Sequence, residues 1–169
     1  PEARPALSLD QTQFSPLVRK LEAYFASRGT AAYLVGGGVR DSLLRRQTGD
    51  VDMAVAGDAR IVGAEIAESF VGRLVVLDEQ RGVVRVILPG GERGQILDLS
   101  GFQGEIERDL GRRDFTIDAM AVPLSALSGG GAPAPLVDPY NGTQDLRAGV
   151  IRALSPRVFE EDPGRLLRA

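Results

Sequence analysis

Apolar positions along this chain fall into two rhythms, one helical and one alternating. Leu17, Val18, Leu21, Tyr24 and Phe25 recur at helical spacing behind Ser15-Pro16, an N-cap and first-turn pair, and predict an amphipathic helix ending at Gly29. Tyr33–Val35 is a short β-prone run stopped by Gly36, Gly37 and Gly38. Val39 to Arg46 returns to helical spacing, with Val39, Leu43 and Leu44 on one face. Val51, Met53 and Val55 then alternate with Asp50, Asp52 and Ala54, the period of a half-buried strand. Asp58 to Phe70 predicts another helix, capped by Asp58, with Ile61, Val62, Ile66 and Phe70 facing inward. Leu74–Leu77, Val83–Leu88 and Gln95–Leu99 read as three strands, the last two a hairpin closed by residues 89–94. Asp98 lies between Leu97 and Leu99 and points away from them.

The remaining third of the chain is less periodic. Arg112-Arg113-Asp114 reads either as a surface salt-bridge cluster or as arginine forks and a carboxylate set against phosphates and a ribose. Ser128 to Pro135 (S-G-G-G-A-P-A-P) has the composition of a flexible inserted loop. From Asp138 a turn leads into a short helix, where Asn141-Gly142 suits positive φ and Thr143 suits a cap, a structural role. A final helix is expected near Pro163. It places Asp162, Arg165 and Arg168 three residues apart on one side, either as an ion-pair face or as readers of a base edge.

Chemistry concentrates between Tyr33 and Ala56, in the order strand, glycine turn, helix, strand. Glycines ahead of a helix are either a plain connection or a cradle where backbone N–H groups approach an anion. Arg40, in the first helical turn, opposes the helix dipole unless it meets an anion. Asp50 and Asp52 share a strand face with Cα atoms roughly 6.5–7 Å apart. Such a pair is either a solvated face or a repulsive couple that a Mg²⁺ ion relieves. Asp98 is a candidate third carboxylate if its strand neighbours Val51–Val55, and an exposed strand aspartate otherwise. Neither G-x-G-x-x-G nor G-x-x-x-x-G-K-[ST] occurs, which removes support for Rossmann and P-loop sites.

Composition narrows the chemistry further. The 169 residues, 43% hydrophobic and 25% charged, fit one globular domain. No apolar run reaches the length of a membrane span and no signal-peptide pattern is present, so a cytoplasmic protein is expected. Without cysteine there are no disulfide partners, thiolate nucleophiles or zinc–thiolate sites. Without histidine there is no imidazole base and no histidine-ligated zinc. Lys20 is the only lysine among 20 basic residues, so the basic complement consists of arginine forks, which bind phosphate well and carry protons poorly. What survives is carboxylate–metal chemistry with arginine electrostatics. A net charge of −3 confines any nucleic-acid contact to local patches. Pro1 as first residue and a helical pattern interrupted at Ala169 read as an excerpt from a longer chain.

Four stretches in order resemble the class II tRNA nucleotidyltransferase (CCA-adding) and bacterial poly(A) polymerase family. Leu34-Val-Gly-Gly-Gly-Val-Arg-Asp41 with Asp50-Val-Asp52 is similar to its glycine and metal motif. Arg112-Arg-Asp-Phe-Thr-Ile-Asp-Ala-Met-Ala121 resembles the ribose-reading motif, Asp138 to Arg147 the hinge-side motif, and Glu161 to Arg168 the base-reading motif. One departure is Asp118, where the family usually has Asn, an acceptor in place of an amide donor.

The resemblance implies an α/β (α+β) head of the DNA polymerase β-like kind. Its sheet would be mixed and mostly antiparallel, of about five strands, with helices packed on one side. It implies a flexible lead-in over 1–10, a catalytic head over 11–153, and the start of a base-reading neck over 154–169. Asp50 and Asp52 would be catalytic and hold Mg²⁺, joined by Asp98 if it reaches. Gly36, Gly37 and Arg40 would meet the triphosphate, Arg113 and Asp114 the ribose and phosphates. Asp162 and Arg165, assisted by Arg168, would template CTP or ATP. The implied reaction adds CMP or AMP to the tRNA 3′ end with release of pyrophosphate. Only 13 residues separate Asp98 from Arg112, without the long loop that CCA- and A-adding members carry there, which leans toward CC addition. A poly(A) polymerase shares these motifs, and a non-catalytic nucleotide-binding domain is the alternative of another class.

Overall fold

A computed structural model describes residues 15–46, 50–90, 94–127, 134–156 and 159–160. The first helix, α1 (Pro16–Arg28), begins with proline at a position whose N–H needs no partner, and it ends on Gly29 in the left-handed region (φ 63°). Ser15 occupies the expected N-cap position, but its hydroxyl makes no capping bond. Strand β1 (Ala32–Val35), helix α2 (Gly37–Leu43) and strand β2 (Asp50–Ala56) form the predicted strand–turn–helix–strand unit. Here α2 starts and stops earlier than periodicity suggested, and Arg45 turns the chain with φ 57°. Helix α3 (Ala59–Ser69) follows, capped by the Asp58 carboxylate, which accepts from the Arg60 backbone N–H at 2.8 Å.

Strands β3 (Arg73–Asp78), β4 (Val83–Leu88) and β5 (Gln95–Phe102) make a meander, after which come the short α4 (Ile106–Leu110), a 3₁₀ turn at Thr116–Asp118 and strand β6 (Ala121–Pro123). Helix α5 (Gly142–Ala148) completes the described elements. The six strands lie in the order β3-β4-β5-β2-β1-β6. Every pairing is antiparallel except β2 with β5, which is parallel. The expected mixed, mostly antiparallel sheet is therefore present, with one strand more than anticipated. The extra one, β6, is three residues long and holds Pro123 at an outer edge, where a missing N–H costs no ladder bond.

Alternation sorts β2 cleanly. Val51, Met53 and Val55 face one apolar layer with Leu97 and Leu99 of β5 and Val84 and Val86 of β4. Leu21 and Phe25 of α1 and Ile66 of α3 close this layer from the other side. Each fully buried aliphatic side chain there contributes roughly 1.5–3 kcal/mol relative to exposure. Ile61, expected inward, is 61% exposed. The helix presents Gly63 instead, because a Cβ there would lie 2.9 Å from Leu74 Cδ1 and 3.0 Å from Val84 Cγ2. Close approach of α3 to the sheet turns Ile61 out. The other sheet face carries a smaller apolar cluster, Val35, Ala54, Phe102, Ile106 and Leu110 among them. Beside that cluster the same face is left polar by Asp50, Asp52 and Asp98.

Candidate active site

Register decides what the polar face brings together. In the parallel β2–β5 ladder Asp52 lies opposite Asp98, and in the antiparallel β4–β5 ladder Asp98 lies opposite Arg85. Arg85, Asp98 and Asp52 thus form one cross-strand row. Asp98, the conditional third carboxylate, does come beside the pair, but Arg85 holds it. The Nε of Arg85 donates to Oδ1 at 2.7 Å and Nη2 donates to Oδ2 at 2.8 Å. Asp50 sits one step toward the start of β2 and is exposed, whereas Asp52 is half-buried.

The turn between β1 and α2 walls one side of Asp52. Gly36 adopts φ 65° and ψ −140°, a region almost reserved for glycine. A Cβ there would stand 3.0 Å from Arg113 Nη1 and 3.6 Å from Asp52 Oδ2. At Gly37 it would stand 3.3 Å from Arg40 Nη2 and 4.0 Å from Asp52 Oδ2. The two glycines therefore leave a space between two guanidinium groups and a carboxylate. That space opens into a cleft of about 760 Å³ lined by Gly36, Gly37, Asp52, Asp98, Arg113 and Asp114, among others.

Arg113 reaches the cleft from the segment after α4. Its Nη2 donates to Asp109 at a long 3.4 Å, and its Nε is buried without a hydrogen-bond partner. A buried guanidinium donor left unpaired costs of the order of 1–3 kcal/mol, while Nη1 of the same fork stands at the Gly36 turn. Arg40 is differently placed. It donates to Asp41 at 2.9 Å and, through Nη1, to Asp118 at 2.7 Å. The aspartate that stands where the family usually has Asn thus anchors the arginine expected at the triphosphate.

Burial raises the Asp52 carboxyl above the usual range, and Asp98 adds to the rise. Arg113 pulls it back, while Asp50 and Asp118 push upward again. Asp118 is raised too, chiefly by burial, against the lowering effects of Arg40 and Arg113. Negative charge is thus crowded around half-buried Asp52 on the cleft wall, which a hard cation would relieve. Among the described residues no three acidic side chains close around one point as a ready metal cage. Asp50 and Asp52 are of the donor type that could hold a hard divalent cation, the remaining ligands of which would come from water and substrate phosphates.

Asp162, Arg165 and Arg168 lie outside the described residues, as do the lead-in over 1–10 and most of the loop at 128–135. Sequence reasoning missed Arg85 altogether. A signal existed: Arg85 and Asp98 stand equally far outside the two ends of the 89–94 turn, each between apolar residues. Around Asp138 the expected cap is Thr143. Asp138 is the acceptor instead, bonding the N–H groups of Gly142 and Thr143 and the Thr143 hydroxyl, while Asn141 supplies the positive φ of 57°.

Residues 32–152 match the family described as Poly A polymerase head domain. A CC-adding tRNA nucleotidyltransferase of Geobacter sulfurreducens is 38% identical over 156 residues, 92% of this chain and 34% of that protein. An A-adding tRNA nucleotidyltransferase of Halalkalibacterium halodurans is 34% identical over 167 residues, 90% of this chain and 37% of that protein. Among solved structures, a Thermotoga maritima CCA-adding enzyme complexed with tRNA superposes with a TM-score of 0.76 at 33% identity, over 92% of this chain and 37% of that one. The chain thus spans about a third of the length of the relatives it matches.

Proposed function

The chain belongs to the poly(A) polymerase head-domain family, and on that premise we propose that it is the catalytic head of a Mg²⁺-dependent tRNA nucleotidyltransferase that adds CMP from CTP. The single observation that carries this reading is the convergence of the Gly36–Gly37 turn, half-buried Asp52 and the Arg113 guanidinium on one cleft. Backbone N–H groups at the glycines and the forks of Arg113 and Arg40 would take phosphate oxygens. Asp114, on the cleft wall, would meet the ribose. Asp162, Arg165 and Arg168 would read the base, a role resting on the motif resemblance alone.

Asp50 and Asp52 would hold the metal, which when bound acidifies the attacking 3′-hydroxyl and offsets charge on the departing pyrophosphate. The new bond joins the RNA 3′-oxygen to the α-phosphorus as the α–β bridge breaks. Arg113 stays charged throughout and stabilises phosphate negative charge without giving up a proton.

Two observations support CC addition over A addition. Relatives named CC-adding match at 38, 37 and 35% identity, against 34 and 36% for relatives named A-adding. The connection from Asp98 to Arg112 is also filled by the end of β5 and by α4, leaving no long loop before Arg112. The test uses the full-length protein with Mg²⁺ and tRNAs ending before, within and just short of CCA, with CTP and ATP supplied separately. Two C additions and no A are expected. Addition of A would overturn the CC reading, and long A tails on unrelated RNA would identify a poly(A) polymerase. Asp52→Asn should lower turnover about 10³-fold, on the scale of losing a preorganised electrostatic contact. Unchanged turnover in that variant would overturn the catalytic assignment.

A further inference from the structure

The Arg85–Asp98 pair has no part in the reading above, yet it touches the same row as Asp52. We propose that Arg85 is a positioning residue: it fixes Asp98 as half of a neutral ion pair, so that the cleft offers a divalent cation two carboxylates, Asp50 and Asp52, and not three. The inference rests on reading Asp50 and Asp52 as cation ligands.

The pairing is built into the backbone. Arg85 and Asp98 are opposite one another in the β4–β5 ladder, and their neighbours Val84, Val86, Leu97 and Leu99 are buried on the other face. Both residues must therefore project onto the cleft side. The planar fork meets both carboxylate oxygens at 2.7 and 2.8 Å, which fixes the plane of the Asp98 carboxylate as a single bond would not. At 34% and 22% side-chain exposure the pair is partly screened, and such pairs contribute little to stability. Its larger effect is on charge. Without Arg85, three carboxylates would share one face. With it, the charge near the cation falls to that of two, which one divalent ion balances.

The experiment is a Mn²⁺ titration of the full-length protein without nucleotide, followed by the paramagnetic resonance of free Mn²⁺. The variants are Arg85→Met, Asp98→Asn, the double Arg85→Met/Asp98→Asn, and Asp52→Asn as control, each checked for folding by its melting curve. Removing both members of a neutral pair should leave Mn²⁺ affinity within about threefold of wild type, and freeing Asp98 by Arg85→Met should tighten it about tenfold. Asp98→Asn alone leaves the Arg85 charge beside the site and should bind more weakly than the double variant. If the double variant loses about tenfold or more, as Asp98→Asn then would, Asp98 is itself a ligand and the proposal fails. It fails equally if Arg85→Met binds no more tightly than wild type. Should Asp52→Asn bind Mn²⁺ as wild type does, the cation reading is what has failed, and the role of Arg85 falls with it.

Discussion

Asp52 works against the fold that holds it. Burial first, then the Asp98 carboxylate, raise its acid form, with Arg113 opposing. A carboxyl whose folded pKa exceeds its unfolded one costs the fold stability as pH rises through that window, and the loss is complete above the folded value. Asp52→Asn should therefore raise the melting temperature of the metal-free protein at neutral pH while lowering nucleotide addition about 10³-fold. Mg²⁺ should stabilise wild type and leave the variant unmoved. A variant that melts below wild type would contradict this. Gly36→Ala should act in the opposite sense, because its φ of 65° and ψ of −140° and the nearby Arg113 Nη1 leave no room for a Cβ. A cost of about 1–3 kcal/mol is expected in denaturant unfolding, together with weaker nucleotide binding. Both positions were legible in the sequence, since the period of two places Asp50 and Asp52 on one face and three successive glycines mark the turn. Arg85 was not. Its meaning depends on which residue faces it across a hairpin, and a strand read alone gives no partner.

Among elements, α3 shows how a helical pattern misleads by one step of rotation. Apolar spacing admitted Ile61 to the inner face, but a helix packs where it can approach, and Gly63 is the point of approach. Gly101 of β5 plays a comparable part, because a Cβ there would collide with the Gly57 carbonyl in the turn that leads into α3. The segment around α5 is tied by Asp145, which accepts from the Thr116 hydroxyl at 2.7 Å and from Nε and Nη2 of Arg152 at 2.9 and 3.0 Å. These contacts fasten α5 to the 3₁₀ turn just after Arg113 and Asp114, in keeping with the structural role expected for that region. The Arg152 fork, helped by the Thr116 hydroxyl, holds the Asp145 carboxyl below its usual range. A depressed carboxyl stabilises the fold above its unfolded pKa, about 4, and that contribution fades as pH falls through the lower folded value. Asp145→Asn should therefore melt earlier than wild type at neutral pH and converge with it in strong acid. Melting curves that stay parallel across that range would refute the assignment.

For the molecule as a whole, the motifs revealed the family before any coordinate did, because they are short and local. The order β3-β4-β5-β2-β1-β6 was not available in the same way. A hairpin declares itself through its turn, but the parallel pairing of β2 with β5 joins segments separated by a helix and two strands, and no local signal specifies it. That pairing has a kinetic consequence. Chain closure favours near neighbours, so the β3–β4–β5 meander can form before β2 docks alongside β5. Asp52 meets Asp98 only at that last step. Completion of the sheet and of the cleft are then the same event: until β5 lies beside β2, Asp52 has no Asp98 across from it and the cleft lacks that wall. Pulse-labelled hydrogen exchange during refolding should find the amides of Val84 and Val86 protected before those of Met53 and Ala54, with added Mg²⁺ slowing unfolding more than it speeds folding. Simultaneous protection of both groups would mean that the seam closes with the rest of the sheet.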